Sequence, residues 1–181
     1  MQVKDSKRLH YRLLTAADAQ LLADLDSDPE VMKFITGGKT NSLEEVKTVY
    51  IPRLSTFTEE SKGWGLWGCF ELPDKHFLGW ILVRPAHFFS EQRNDRDLEL
   101  GWRFKQISWG KGLATEAAQQ VMSELVSANP DLTHFSAIAD EGNTGSINIM
   151  KKLGMSFVKK GLHTDILGDM EVVYYEKPVS E

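Results

Sequence analysis

The chain has a single cysteine, Cys69, among 181 residues, so no intrachain disulfide can form. That excludes the small secreted domains built on disulfides and makes a reducing cytoplasm the expected setting. Cys69 lies in the apolar run Trp64–Phe70 with no histidine near it in sequence, which reads as a small core residue rather than a nucleophile. No stretch approaches the ~18 consecutive apolar residues of a membrane span. The segment Met1–Arg8 is polar and has no signal-like apolar core. Lysine and arginine are not concentrated anywhere, and the net charge is −5, so neither a nucleic acid nor a membrane is an expected partner. The five histidines show no ligand spacing, which argues against a metal centre. There is no repeat, no low-complexity tract and no linker, so residues 1–181 read as one cytoplasmic domain.

What is present is a change of period along the chain. Leu9–Leu14 reads as a short strand. Thr15, with Asp18 three residues on, caps a helix over Ala16–Asp26, and Pro29 opens another through Ile35. Asn41 or Ser42 caps a third, in which Pro52 predicts a kink or an early end. Trp64–Glu71 and Phe77–Val83 then form a hairpin around Pro73-Asp74-Lys75, followed by a polar loop over Arg84–Arg96. Leu98, Leu100, Trp102 and Phe104 alternate with Glu99, Gly101 and Arg103, the pattern of a strand. Gly112–Val126 predicts a helix stopped by Asn129-Pro130, Thr133–Ala139 a strand, Asn143–Leu153 a helix ended by Gly154, and Met155–Leu162 and Met170–Glu176 the last strands. Early helices, a central meander and late strand–helix units give an α/β (α+β) fold with a mixed sheet.

Two segments carry chemistry. Strand Leu98–Phe104 passes through Lys105–Trp109 into Gly110-Lys111-Gly112 and directly into a helix. A helix N-terminus presents unpaired N–H groups and partial positive charge, and glycine removes the Cβ that would hold a pyrophosphate away. The same glycines would equally make a tight strand-to-helix turn. The loop lacks the Gly-x4-Gly-Lys-Ser/Thr of an ATP or GTP site, and Thr115 occupies the last glycine place of a dinucleotide fingerprint. In the second segment Asn143 is a helix cap, with Ser146 and Met150 along the same face.

Taken together, Glu99-Leu100-Gly101-Trp102, the run Trp109-Gly110-Lys111-Gly112-Leu113-Ala114-Thr115-Glu116-Ala117, and Asn143-x-x-Ser146 leading to Lys152-Leu153-Gly154 resemble the GNAT superfamily of N-acetyltransferases. Within it they are most similar to the branch of ribosomal-protein N-terminal (alanine/serine) acetyltransferases. The resemblance implies a mostly antiparallel sheet of six to seven strands, splayed in a V and flanked by helices. It implies acetyl-coenzyme A as cosubstrate, with the pantetheine arm along Trp102, Arg103 and Phe104. The pyrophosphate would take the N–H groups of Trp109, Gly110, Lys111, Gly112, Leu113, Ala114 and Thr115, and Asn143 and Ser146 would meet the arm. The acceptor would be an amine: a protein N-terminus, such as that of a ribosomal protein, or a small molecule. The protein would act as a monomer or a homodimer.

An α-amine ordinarily titrates at about 7.7–8.0 and a lysine amine at about 10.4, so either is charged at neutral pH and must lose a proton before attack. Glu99 is the candidate base, with two other roles open to it: holding the amine by charge, or pairing with Arg103. Ser146 is the candidate donor to the leaving thiolate, because Met150 occupies the position where many members carry a tyrosine acid. Ile107 replaces the frequent Gln or Arg before the glycines, and Met155 replaces Phe after Gly154. Tyr11 and Phe88-Phe89 either line an acceptor pocket or cover the core. A catalytically silent acyl-CoA-binding module is the alternative from another class.

Overall fold

A computed structural model describes residues 1–179. Seven strands make one sheet in the order β1-β2-β3-β4-β5-β7-β6. They are β1 (Leu9–Leu13), β2 (Gly65–Glu71), β3 (His76–Ala86), β4 (Asn94–Phe104), β5 (His134–Ala139), β6 (Ser156–His163) and β7 (Met170–Pro178). Every neighbouring pair is antiparallel except β4 with β5, so the mixed, mostly antiparallel sheet is as expected.

The parallel pair is also the shortest. β4 stays paired with β3 as far as Phe104, but with β5 it pairs only at Asp97, Leu98 and Glu99. From Leu100 onward the β4 edge facing β5 has no strand partner, and the sheet opens as a V. The strand alternation decides what lies on either side of the opening. Leu98, Leu100 and Phe104 are buried in the core that α5 (Leu113–Ala128) covers with Leu113, Ala117, Val121 and Leu125. Glu99, Gly101 and Arg103 therefore face the other side. There a second core forms between the sheet and α1 (Ala19–Asp26), α2 (Pro29–Thr36) and the helices after them, around Leu14, Leu22, Leu25, Phe70 and Phe77.

The early helices follow their capping residues. Thr15 and Asp18 form a full capping box, and Pro29 stands in the first turn of α2 behind the Asp28 cap. At the third helix Ser42, not Asn41, is the cap. Asn41 is buried instead and donates from Nδ2 to Asp26 at 2.8 Å. The expected disturbance at Pro52 is a widened turn. After α3 (Leu43–Glu45), residues Val46–Tyr50 adopt π geometry before α4 (Ile51–Phe57), with the Ile51 N–H reaching back to Val46 O. Proline has no N–H for the helical ladder and its ring crowds the preceding turn, so the bonding slips by one residue.

The polar loop expected over Arg84–Arg96 is shorter than the sequence suggests. β3 runs through Ala86 and β4 begins at Asn94, leaving only residues 87–93 between them. Pro85 is tolerated because the ladder shifts register between Pro85 and Ala86, and Arg84 is tolerated because its strand partner is Glu99. At the far edge β6 carries Lys159 and Lys160, charges that discourage further strand pairing. After α5, α6 (Thr144–Lys152) is the remaining helix of the V.

Candidate active site

The V holds a groove of about 660 Å³. Its walls are the open end of β4, the turn into α5, the end of β5 and the start of α6, with α2 forming an outer lip through Phe34. Trp102, Arg103, Phe104, Trp109, Gly110, Gly112, Leu113, Ala114, Thr115, Asn143 and Ser146 all line it. Lys111 is not among the lining residues, although its neighbours on both sides are.

The backbone of the turn leaves open space and unused N–H groups beside the groove. Gly110 and Gly112 have φ of 70° and 73°, left-handed values that favour glycine. A Cβ at Gly110 would have no protein atom within 4 Å, and one at Gly112 only Arg8 Nη2 at 3.8 Å. The space beside the turn is thus open to a ligand rather than filled by the protein. Among the described residues no turn or cap hydrogen bond uses the N–H groups of Gly110 to Thr115, and those of Leu113 to Thr115 open a helix. Trp109 is the exception to the sequence reading. Its N–H already donates to Gln106 O at 3.0 Å, and its indole N–H donates to Phe104 O at 2.8 Å. Trp109 therefore ties the turn to the end of β4 and has no main-chain donor left to offer.

Asn143 caps α6, accepting from the Ser146 N–H at 3.1 Å. Ser146 in turn accepts from the Trp102 indole N–H at 2.9 Å, which joins α6 to β4 across the V. Met150 is fully buried in the main core. Ile107 is 70% exposed, outside the groove.

Glu99 lies in a different hollow. A cavity of about 160 Å³ beside the paired stretch of β4 and β5 is lined by Asp97, Glu99, Ser136, Tyr174 and Glu176, together with His87 and His163. Ile138 lines both hollows. The side chains come together by register: Arg84 stands opposite Glu99, Glu99 opposite Ser136, and Ser136 opposite Glu176. Glu99 is not paired with Arg103. Its carboxylate accepts from Arg84 Nη2 at 2.9 and 3.2 Å and from Arg84 Nε at 3.3 Å, with both side chains 11% exposed. Arg103 is directed away, to Asp26 at 2.6 Å and over the Trp80 ring. Directly opposed strand residues meet, whereas Glu99 and Arg103 are separated along one strand.

Two neighbours in this hollow titrate abnormally. Burial raises the Asp97 carboxyl above its ordinary value, and one of its oxygens has no hydrogen-bond partner. Tyr174 is also raised, first by burial and then by the negative charge of Glu99. Phe88 and Phe89 pack edge-on against Phe57, and Phe89 lies under the Arg53 and Arg84 guanidinium groups. Phe89 and Phe57 thus pack against the arginine that holds Glu99. Tyr11 lines neither hollow; it is buried in the main core with its hydroxyl 2.8 Å from Ser6 Oγ.

A family model described as an acetyltransferase (GNAT) domain matches residues 8–156 of this chain. The chain belongs to the GNAT acetyltransferase family. Its activity is thus N-acetyl transfer from acetyl-coenzyme A, and the matched span contains both motifs and the V between them. An uncharacterized protein of Bacillus subtilis, YkkB, is 28% identical over 153 residues, 84% of each chain. A GNAT-family acetyltransferase structure from Bacillus anthracis superposes with a TM-score of 0.76 over 98% of both chains at 22% identity. RimL, a ribosomal alpha-N-protein acetyltransferase solved in complex with coenzyme A, does so with a TM-score of 0.75 at 12% identity, covering 98% of this chain and 97% of its own. At these identities the two structures speak for the fold.

In this acetyltransferase the residues gathered around Glu99 that sequence reasoning did not single out are Arg84, Asp97, Ser136, Tyr174 and Glu176. None belongs to a motif. The alternation in β4 places Asp97 and Glu99 on one face, and that was the only signal for any of them. The others required the register of β3, β5 and β7.

Proposed function

We propose that acetyl-coenzyme A lies in the V-shaped groove and that a primary amine, either a protein N-terminus or a small-molecule amine, meets it from the hollow that contains Glu99. The observation that carries this reading is the end of β4–β5 pairing at Glu99 and Ser136, which leaves an anion-ready turn on one side and a carboxylate hollow on the other. The N–H groups of Gly110 through Thr115 would bind the pyrophosphate, with the Lys111 side chain adding charge from outside. The unpaired edge of β4 at Trp102, Arg103 and Phe104 offers main-chain groups to the amides of the pantetheine arm, and Asn143 and Ser146 close the opposite wall.

Glu99 is assigned as the group that draws the proton from the incoming ammonium, directly or through water. A carboxylate has about four acceptor sites, so three bonds from Arg84 still leave room for the amine or a water. The freed nitrogen lone pair then attacks the thioester carbon. An N–H on the open β4 edge would meet the developing oxyanion. The C–S bond breaks and the nitrogen gives up its second proton as the amide forms. The thiolate takes a proton from Ser146 Oγ, free to donate because Trp102 already satisfies it as an acceptor; Ser146 recovers the nitrogen's proton through water, and Glu99 returns its own to solvent. Met150, buried and without an ionisable proton, takes no part.

The same reading takes residues 1–181 as one cytoplasmic acetyltransferase domain, acting as a monomer or homodimer. Release of free thiol from acetyl-coenzyme A tests the proposal, using N-terminal peptides of ribosomal proteins, polyamines and aminoglycosides as acceptors. Thiol release with at least one amine, abolished by acetylating that amine beforehand, is the expected result. Coenzyme binding without thiol release for any amine would overturn it in favour of a silent acyl-CoA-binding module.

A further inference from the structure

Glu116 stands in the first turn of α5, the turn assigned above to the pyrophosphate. A carboxylate there competes with a phosphate for the same partial positive charge and repels it. The residues just before β1 cancel that conflict. Arg8 Nε donates to Glu116 Oε2 at 2.7 Å, and the Arg8 backbone N–H donates to Oε1 at 2.9 Å. Ser6 Oγ adds a third bond to Oε1 at 2.8 Å. Burial alone would raise the Glu116 carboxyl, but these hydrogen bonds and the arginine charge bring it below its ordinary value.

The same arginine grips the turn itself. Arg8 Nη1 donates to the carbonyl of Lys111 at 2.9 Å, across 103 residues of sequence. That carbonyl and the N–H of Gly112 belong to one trans peptide plane and point in opposite directions. Holding the carbonyl toward Arg8 therefore turns the Gly112 N–H away from Arg8. Gly112 lines the groove and Arg8 does not.

We propose that Arg8 is a positioning residue for coenzyme binding: it neutralises Glu116 and fixes the Lys111–Gly112 peptide, so that the turn is ready for a pyrophosphate. This inference rests on the pyrophosphate assignment made above. Its effect should be confined to ligands that carry the pyrophosphate.

Calorimetric titration of the full chain with coenzyme A and with pantetheine, which lacks the nucleotide and both bridging phosphates, separates the cases. In Arg8→Ala the Kd for coenzyme A should rise about tenfold, while the Kd for pantetheine stays at the wild-type value. Arg8→Lys, which retains the charge and loses the fork, should fall between the two and provides the test if Arg8→Ala does not fold. Glu116→Gln in the Arg8→Ala background should recover part of the coenzyme A affinity. Unchanged coenzyme A affinity in both Arg8 variants, or equal losses for both ligands, would overturn the inference. Gly112→Val serves as the control for the underlying assignment. If it too leaves coenzyme A binding intact, the pyrophosphate turn is wrong; if it abolishes binding while the Arg8 variants do not, only the role of Arg8 fails.

Discussion

The two hollows that meet at Ile138 are made in different ways. The groove presents main-chain N–H groups from one contiguous stretch, Gly110 to Thr115, whose donors exist whatever side chains surround them. The hollow presents side chains from β3, β4, β5 and β7, gathered by register over a span from Arg84 to Glu176. A backbone site depends on local conformation, and a few glycines specify it. A side-chain site depends on every strand being in its place, and its charges depend on one another. Substitutions in the groove should therefore act on coenzyme affinity, and those in the hollow on turnover, stability and pH response.

The largest expected effect on ligand binding is in the groove. Gly112→Val puts a β-branched residue at φ 73°, a left-handed conformation that such side chains rarely adopt, and so distorts the turn. Coenzyme A affinity should fall by about 100-fold or more, a change of about 3 kcal/mol read by calorimetry. An unchanged Kd would remove the groove from the comparison altogether.

Next is the ion pair of the hollow. Arg84→Met leaves Glu99 buried without its partner, which should cost about 3–5 kcal/mol of stability in denaturant titration. The folded fraction should keep wild-type affinity for coenzyme A, and a loss there would show that the hollow and the groove are not separable. Glu99→Gln retains shape and two polar ends; turnover should drop about 100-fold, as for loss of a general base, with coenzyme affinity unchanged. Wild-type turnover across pH would rule Glu99 out as the base.

Ser146→Ala tests the hydrogen bond that links β4 to α6 across the V. It leaves the Trp102 indole N–H without its acceptor, a penalty of about 1–3 kcal/mol if no water replaces it. Both coenzyme affinity and turnover should weaken, unlike every substitution above.

The smallest effect concerns pH. Burial holds the Asp97 carboxyl above its unfolded value, so the folded protein binds that proton more tightly than the unfolded chain does. The resulting stability is present below the unfolded pKa of about 3.9 and is lost as pH rises through the folded value. Asp97→Asn should flatten thermal stability across that window and raise it at neutral pH. An unaltered pH profile would mean that the ionised hollow carries no such cost.

Local chemistry made much of the architecture readable in advance. The Thr15–Asp18 box, Pro29 in the first turn of α2, the alternation of β4 and the glycines before α5 each act within a few residues, where dihedral preference and capping decide the outcome. Where the sequence misled, a distant partner was responsible. Arg84–Arg96 looked like loop because its residues are polar, but Arg84 is satisfied by Glu99 across the ladder, so the strands run on. Of the two caps open at the third helix, Ser42 serves because buried Asp26 takes Asn41. Trp109 looked like a phosphate donor, but Gln106 uses its N–H.

By itself, then, the sequence determined the mixed sheet, the glycine turn that leads into α5 and the resemblance to an acetyltransferase family, because each is carried by periodicity or by a contiguous motif. Only the tertiary structure decided which charges meet. It paired Glu99 with Arg84 rather than Arg103, set Ser146 against Trp102, and brought Arg8 to the back of the turn, since ion pairs and hydrogen bonds form at a few ångströms between groups that the chain keeps far apart.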